Sequence, residues 1–201
     1  MFGSRKTCNL ANLNINDMEL QWTPKVKYLG VVLVAGSSFS VCLDSMRHKY
    51  FAAVNALNAH CKYVSEPVKL HLFESYCLPI LLYGIDCIDI SSQQIHELNV
   101  CWNNAYRKIF GYKFYESVKL LIYCMQRLDF RKLFDLRRLM FINKIAQLQH
   151  EIIAKLLPWY LTFDDVYELQ LTYDLTVSSR SSTIKKNVFT LFEKYANDAS
   201  T

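Results

Sequence analysis

Two adjacent carboxylates, Asp164 and Asp165, are the residues whose type and spacing most suggest chemistry. A carboxylate pair beside an aromatic residue can help to hold two metal ions for phosphoryl transfer, provided that a third carboxylate lies on a neighbouring strand. Here Thr162 precedes the pair and a helical pattern follows it, which is typical of a helix N-cap and first turn. We therefore expect Asp164 and Asp165 to begin a helix rather than to bind metal.

The other reactive side chains do not form a recognisable site. The five histidines are dispersed, and none has a second histidine four residues away. The seven cysteines include no Cys-x-x-Cys pair, so we expect neither a structural zinc site nor a disulfide framework. The sequence also has no nucleophile elbow, phosphate-binding glycine loop or dinucleotide fingerprint. It accordingly predicts no catalytic residue, no metal ligand and no cofactor.

Positive charge is concentrated in the middle of the chain. The net charge is +5, and residues 100–155 hold 11 Lys and Arg against 4 Asp and Glu, whereas residues 1–99 hold 8 of each. Within the middle segment, Tyr106-Arg107-Lys108-Ile109-Phe110-Gly111 combines aromatic and basic residues near a predicted helix end. Further basic residues follow along the next helical pattern, namely Arg127, Arg131, Lys132, Arg137, Arg138 and Lys144.

This basic segment has two interpretations. A positive surface attracts nucleic acid, with cations at the phosphates and aromatic rings beside sugars or bases. The alternative is a solvated helix face opposite an apolar stripe that includes Phe130 and Phe134. Arg131 and Asp135 also have the i,i+4 spacing of an intrahelical ion pair. Charge alone favours neither interpretation.

Composition and periodicity predict an α+β chain that is mostly α. A hydrophobic content of 52% argues against disorder, and the scarcity of glycine and proline favours long helices. The N-terminal part alternates polar and apolar residues, which predicts a short antiparallel β-meander before an α-helical bundle. Pro79 is expected to kink or split one of the helices. The predicted strands are 9–15, 18–22 and 26–34, and the predicted helices are 41–61, 68–85, 91–110, 116–126, 129–157 and 183–195.

These elements divide the chain into three parts. We expect a β-meander at 1–36, a helical bundle at 37–157 and a weakly structured extension at 158–201 with one short helix. Pro158 is expected to end the long helix that Asp129 begins. The longest apolar run, residues 77–85, is far shorter than the roughly 20 residues of a membrane helix, and the N-terminus does not resemble a signal peptide. We expect an intracellular protein of the cytoplasm or nucleus, without a membrane partner.

Three motifs, in order, resemble the reverse transcriptases of LINE-type (non-LTR) retrotransposons. Lys27-Tyr28-Leu29-Gly30-Val31 resembles the segment that follows the polymerase palm in that family. Cys77-Leu78-Pro79-Ile80-Leu81-Leu82-Tyr83-Gly84 resembles the helix that comes next in those proteins. The run from Tyr106 to Gly111 falls where the family has a basic and aliphatic run. Order and spacing agree over residues 10–111, about half of the chain.

The resemblance implies a function for these segments. Tyr28, Leu29 and Gly30 would lie on a primer-grip hairpin, and residues 41–111 would be thumb helices that close over a template–primer duplex through its backbone. Because the family's catalytic aspartates precede the Tyr28 motif and this sequence begins 27 residues before it, we expect no catalysis by the chain alone. The expected nucleic-acid-binding residues are Tyr28, Leu29, Gly30, Arg107, Lys108, Arg131, Lys132 and Arg138.

The expected partners follow from the same resemblance. An RNA/DNA template–primer duplex is the main one, and the missing palm and fingers or a second copy of the chain are the others. Two alternatives stay open: an α-helical protein–protein interaction module, and a relic reading frame without a function.

Overall fold

The computed structural model describes residues 13–16, 18–36, 40–88 and 90–198, except for the side chains of residues 164 and 196–198. Small antiparallel sheets precede packed helices, so the predicted α+β, mostly α class is confirmed. The strands are β1 (Leu13–Ile15), β2 (Met18–Leu20), β3 (Lys25–Tyr28), β4 (Val31–Val34) and β5 (Ser40–Cys42). The helices are α1 (Asp44–His60), α2 (Glu66–Leu72), α3 (Leu78–Leu81), α4 (Ser92–Phe110), α5 (Lys119–Cys124), α6 (Phe130–Ala146), α7 (Glu151–Tyr160), α8 (Asp164–Thr172) and α9 (Ser181–Asp198).

The strands form two sheets rather than one meander. β1 pairs with β2, and β4 lies between β3 and β5 in a three-stranded sheet. The prediction of a single strand over 26–34 is wrong, because Leu29 and Gly30 form a turn between β3 and β4. The β-branched residues on both sides of that turn produced a continuous strand pattern. Residues 9–12 of the first predicted strand lie outside the described residues.

Aromatic side chains from the first helices form the centre of the core. Tyr50 of α1, Phe73, and Trp102 and Tyr106 of α4 are fully buried. The ring centroid of Phe73 lies 5.5 Å from that of Trp102 and 6.2 Å from that of Tyr50. Such tilted and edge-to-face pairs each contribute about 0.5–1.5 kcal/mol beyond the burial of apolar area. The core therefore ties α1 and α4 to the helical segment that contains Phe73.

That helical segment changes its hydrogen-bond pattern just before Pro79. A π-helical turn, Phe73–Cys77, separates α2 from α3. Proline donates no backbone hydrogen bond, and its ring crowds the carbonyl four residues earlier, which here belongs to Ser75. A π turn is a recognised way to accommodate such an interruption. The prediction that Pro79 would kink or split this helix is confirmed.

Local signals define both ends of α4. The Ser91 hydroxyl accepts a hydrogen bond from the Gln94 backbone N–H at 3.2 Å, and the Gln94 side chain accepts one from the Ser91 N–H at 3.1 Å. This reciprocal capping box satisfies two of the N–H groups that a helix start leaves unpaired. At the other end Gly111 adopts a left-handed φ of 70°, as a C-terminal cap requires.

The predicted helix over 129–157 is interrupted. It starts as expected, because the Asp129 carboxylate accepts a hydrogen bond from the Lys132 N–H at 2.8 Å. It stops at Ala146, and α7 begins after His150, whose Nδ1 accepts a hydrogen bond from the Ile152 N–H at 3.3 Å. Side-chain bonds of this kind compete with helix continuation. Pro158 does not end the helix either, because it lies inside α7 close to its C-terminus.

The C-terminal region is more structured than expected. It contains α8 and α9 as well as the end of α7, not one short helix. Ile184, Val188 and Phe192 recur at four-residue spacing on α9 and are buried where this helix packs on α5 and α6. The buried amide of Asn143 donates to the carbonyl of Ser179 at 2.7 Å and so fixes the loop before α9. Residues 158–198 therefore complete the core.

None of the helices in the described ranges has the length and apolar character that crossing a lipid bilayer demands.

Candidate nucleic-acid interface

The first family-like motif forms the tip of the β3–β4 hairpin. Tyr28 pairs with Val31 across the strands, which leaves a two-residue turn of Leu29 and Gly30. Both turn residues have positive φ, 45° for Leu29 and 84° for Gly30, as in the type I′ turns that match the twist of a hairpin. A branched apolar residue such as leucine adopts this conformation at a cost of about 1–2 kcal/mol. Strain of this kind is concentrated at functional sites, where the surroundings enforce it.

The second family-like motif supplies the group that holds this turn. The Tyr83 hydroxyl donates a hydrogen bond to the Leu29 carbonyl at 3.0 Å, although the residues are 54 positions apart. A Cβ atom on Gly30 would lie 3.0 Å from Cε1 of the Tyr83 ring. Only glycine therefore lets the hairpin approach the tyrosine this closely without displacing it. The structure thus brings the two motifs into direct contact.

Tyr83 is itself positioned by the end of the α2–α3 segment. Gly84 adopts a left-handed φ of 68° directly after it and reverses the chain there. A Cβ on Gly84 would lie 3.6 Å from Cγ2 of Val31, an ordinary contact, so the β4 strand also approaches this turn closely. Val31 and Leu33 pack against the core from the sheet side. The hairpin is therefore attached to the bundle both by apolar packing and by the tyrosine hydrogen bond.

The hairpin exposes the residues that could meet a nucleic acid. The Tyr28 side chain is 64% exposed and the Leu29 side chain 72% exposed. Lys25 and Lys27 share one face of β3 and are also exposed. Tyr28 lies on the opposite face of β3, so the lysine face suits phosphate contact and the exposed Tyr28 ring suits stacking on a sugar or base from the other face. Sequence reasoning missed both lysines, although the alternation of Lys25, Val26, Lys27 and Tyr28 is visible in the sequence.

The cations at the end of α4 are engaged within the protein. Nε of Arg107 donates to the Glu116 carbonyl at 2.9 Å, and its Nη1 donates to Oδ1 of Asn104 at 3.0 Å. The ammonium of Lys108, which is exposed, donates to Oδ1 of Asn55. Arg107 thus closes the loop after α4, and Lys108 connects α4 with α1.

No contact among the described residues joins the predicted binding residues of α6 to the hairpin. Arg138 forms an ion pair with Asp165 at 2.7 Å. The Lys132 ammonium donates to the Tyr173 hydroxyl at 3.1 Å and lies 5.1 Å from the ring centroid of Tyr195. Arg131 remains exposed. Of the three, Arg131 is the one for which the described residues show no hydrogen bond or ion pair, although its charge acts on Asp135.

Two further arginines of the basic segment also neutralise carboxylates. Nε and Nη2 of Arg137 donate to the two Asp86 oxygens at 2.9 and 3.1 Å. Arg127 forms a similar bidentate ion pair with Glu74, and this hydrogen bonding raises the pKa of the guanidinium. Much of the charge of residues 100–155 is therefore balanced by carboxylates from other parts of the chain, which a count along the sequence does not reveal.

The predicted ion pair between Arg131 and Asp135 is replaced by another contact. The Asp135 carboxylate accepts a hydrogen bond from the Tyr173 hydroxyl at 2.6 Å. Burial raises the pKa of Asp135, although the Tyr173 hydrogen bond and the charges of Lys132 and Arg131 act in the opposite direction. Burial likewise raises the pKa of Tyr173, and the Asp135 charge adds to this effect. The group links α6 to the loop after α8.

The carboxylates and thiols that the sequence offers as candidates for chemistry have structural roles or are buried in the described part of the chain. Asp165 lies in the first turn of α8 as predicted and binds Arg138, whereas the side chain of Asp164 lies outside the described residues. Burial raises the pKa of the Cys77 and Cys101 thiols, which makes them poor nucleophiles at neutral pH. Within the described ranges, no three His, Cys, Asp or Glu side chains come together as a metal site.

Comparison of the chain with protein-family models, with curated proteins and with solved structures gave no match. The function is therefore argued from the residues and their geometry.

Proposed function

We propose that this chain is the primer-grip and thumb part of a LINE-type reverse transcriptase. In this proposal it binds a template–primer duplex through the sugar–phosphate backbone and does not polymerise by itself. One observation carries the proposal: the Tyr83 hydroxyl donates to the Leu29 carbonyl. The two motifs on which the resemblance rests most strongly, far apart in the sequence, form one contact that holds a strained turn.

The hairpin is the part of the interface that this geometry supports best. Lys25 and Lys27 would contact phosphates, and the exposed ring of Tyr28 would rest against a sugar or base of the primer. The hydrogen bond from Tyr83 would keep the tip in a fixed position relative to the helices. A preorganised tip loses less conformational freedom on binding than a flexible loop would.

The affinity in this proposal is modest and strongly dependent on salt. Arg107, Lys132 and Arg138 have partners within the protein, so fewer of the predicted cations remain for phosphates. Each lysine that neutralises a phosphate changes the slope of log K against log salt by about one. Two hairpin lysines should therefore account for about two units of that slope.

A filter-binding assay with an RNA/DNA primer–template hybrid tests the proposal on the full chain. The wild type should bind at low salt and lose affinity as salt rises. The double variant Lys25→Gln/Lys27→Gln should bind more weakly than the wild type whatever the primer sequence. Its slope of log K against log salt should be smaller by about two. Lys185→Gln/Lys186→Gln is the matched control, because it removes the same charge from exposed positions on α9.

Three results would count against the proposal. Binding that is absent at 50 mM salt, or that does not respond to salt, contradicts phosphate contact. Equal losses in the hairpin and α9 double variants would show that net charge, and not the hairpin, governs affinity. A separate primer-extension assay with Mg²⁺ and deoxynucleotides should give no product, and measurable extension would overturn the idea that the chain does not polymerise by itself.

A second candidate function, binding to another protein, is favoured by α7. None of its residues is buried, and Ile152, Leu156 and Trp159 share one face with exposures of 62, 55 and 63%. An apolar face of this kind is typical of an interaction surface. We propose self-association through α7 as its simplest form.

Light scattering over a range of protein concentrations tests this second candidate. The wild type should show a rising average mass, and Leu156→Glu should abolish the rise. Leu120→Glu, at an exposed position of α5, should leave the rise unchanged. A mass that is independent of concentration in the wild type would exclude self-association through α7.

A further inference from the structure

A cleft opens between the three-stranded sheet and the first helices. Its volume is about 370 Å³, which lies within the range of about 300–1,000 Å³ that is common for small-molecule sites. Its lining is mainly aliphatic, with strand residues on one side and helix residues on the other. These include Val31, Val32 and Val41 from the strands, and Met46, Pro79 and Ile80 from the helices.

The walls of this cleft are held in place by hydrogen bonds between residues that are far apart in the sequence. The Gln94 side chain donates to the Val41 carbonyl at 2.8 Å and holds β5 against α4. On the hairpin side, the Tyr83 hydroxyl holds the carbonyl of Leu29. Val41 and Leu43 are themselves almost fully buried. A ligand would therefore enter a space that already exists, with little cost for ordering the walls.

Among the described residues, one cation, Lys49, lines this mainly apolar space. Ser45 and Lys49 are four residues apart on α1, so both lie on the side of the helix that lines the cleft. Lys49 is exposed, and no described side chain accepts a hydrogen bond from it or pairs with its charge. The neighbouring ionic groups are engaged: Asp44 accepts from the Cys42 thiol at 3.1 Å, and Arg47 pairs with Glu97 at 2.9 Å.

We propose that the cleft binds a small, mainly apolar molecule that carries one anionic group. Its body would lie between the valines of the sheet and Met46, Pro79 and Ile80. Its carboxylate or sulfonate would meet the ammonium of Lys49 and the hydroxyl of Ser45. The apolar walls supply most of the affinity, and the cation selects for charge and orientation. This proposal does not rest on the proposed nucleic-acid function, although Gly30 and Tyr83 of the hairpin contact also line the cleft.

Two dyes that share one ring system and differ by a sulfonate group test this assignment on the full chain. The anionic probe is 8-anilinonaphthalene-1-sulfonate, and the uncharged one is N-phenyl-1-naphthylamine. Both should bind with one saturable site in a fluorescence titration. Lys49→Gln should weaken the anionic dye by about two- to fivefold, the range for an exposed ion pair, and should leave the uncharged dye unchanged. An equal effect on both dyes would overturn the role of Lys49.

Occupancy of the cleft is tested by blocking it. Ser45→Phe introduces a ring at its exposed edge and should abolish the saturable binding of both dyes. His48→Phe is the matched control, because His48 is exposed on the same helix but does not line the cleft. Unchanged affinity in Ser45→Phe would show that the dyes bind another apolar surface and would overturn the proposal.

Alkylation of the wild type gives a second test that needs no variant. Cys42 lines the cleft, whereas Cys61 does not, and both thiols are partly exposed. The anionic dye should slow the alkylation of Cys42 by iodoacetamide and leave Cys61 unaffected, as measured by peptide mass spectrometry. Equal rates at Cys42 with and without saturating dye would place the dye elsewhere and refute the assignment.

Discussion

Replacing Gly30 by alanine tests the contact between the hairpin and Tyr83 most directly. Two physical costs add at this position. The first is the backbone conformation, because Gly30 has a φ of 84° that L-residues rarely adopt. The second is steric, because the new Cβ would lie 3.0 Å from Cε1 of Tyr83. The ring can give way only by weakening its hydrogen bond to the Leu29 carbonyl.

Another glycine separates these two costs. Gly111 has a φ of 70°, and a Cβ there would meet nothing within 4 Å. Gly111→Ala should therefore cost only the backbone term, about 1 kcal/mol. Gly30→Ala should cost about 1.5–2 kcal/mol, because the loss of an exposed hydrogen bond adds about 0.5–1 kcal/mol. In a Tyr83→Ala background, the cost of Gly30→Ala should fall to that of Gly111→Ala.

Urea denaturation followed by circular dichroism measures these differences in the free energy of unfolding. Val31 and Leu33 pack on the core, so we expect the hairpin and the bundle to unfold together. The double-mutant cycle of Gly30→Ala with Tyr83→Ala should give a coupling of about 0.5–1 kcal/mol. A coupling near zero, or equal costs for Gly30→Ala and Gly111→Ala, would refute the inferred contact.

Three further substitutions test other parts of the fold. Ser91→Ala should lower the free energy of unfolding by about 1 kcal/mol, because it removes the capping box of α4; urea denaturation measures this, and an unchanged midpoint would contradict it. Arg137→Lys should cost about 0.5–1 kcal/mol in the same assay, because a lysine cannot make the two parallel bonds to Asp86; full retention of stability would show that the paired geometry contributes nothing. For Asp135, burial raises the pKa above its ordinary 3.8, so ionisation is less favourable in the folded chain than in the unfolded one. The free energy of unfolding therefore falls as the pH rises from 3.8 through the pKa of the folded state. Asp135→Asn keeps an acceptor for Tyr173 and should be more stable than the wild type at pH 7, and this advantage should disappear below pH 3.8. Thermal unfolding at both pH values measures the difference in stability. An advantage that persists in acid would contradict the raised pKa of Asp135.

Local sequence signals predicted much of the helical structure. The Ser91 and Asp129 caps, the effect of Pro79 and the end of α4 at Gly111 all lie where the sequence indicated. Each depends on the chemistry of one residue and its near neighbours, such as a hydroxyl that accepts from the third N–H or a proline that lacks a donor. Such signals do not require knowledge of the tertiary fold.

The errors occurred where distant contacts override local pattern. The turn at Leu29 and Gly30 lies within a β-branched run, and Tyr83 stabilises it from 54 residues away. The C-terminal region has weak periodicity on its own, yet α9 is held because Ile184, Val188 and Phe192 fill a space against α5 and α6. Packing energies of this kind exceed the differences in local propensity that sequence reasoning uses.

For the candidate site, the sequence alone determined the motifs and the excess of positive charge in residues 100–155. Only the tertiary structure decided which groups meet and which charges remain available. It joined Tyr83 to the hairpin and paired Arg127, Arg137 and Arg138 with carboxylates. The physical reason is that hydrogen bonds and ion pairs act over a few ångströms in space, whatever the separation along the chain. A count of charges along the sequence therefore could not distinguish the exposed lysines of the hairpin from the arginines that hold the bundle together.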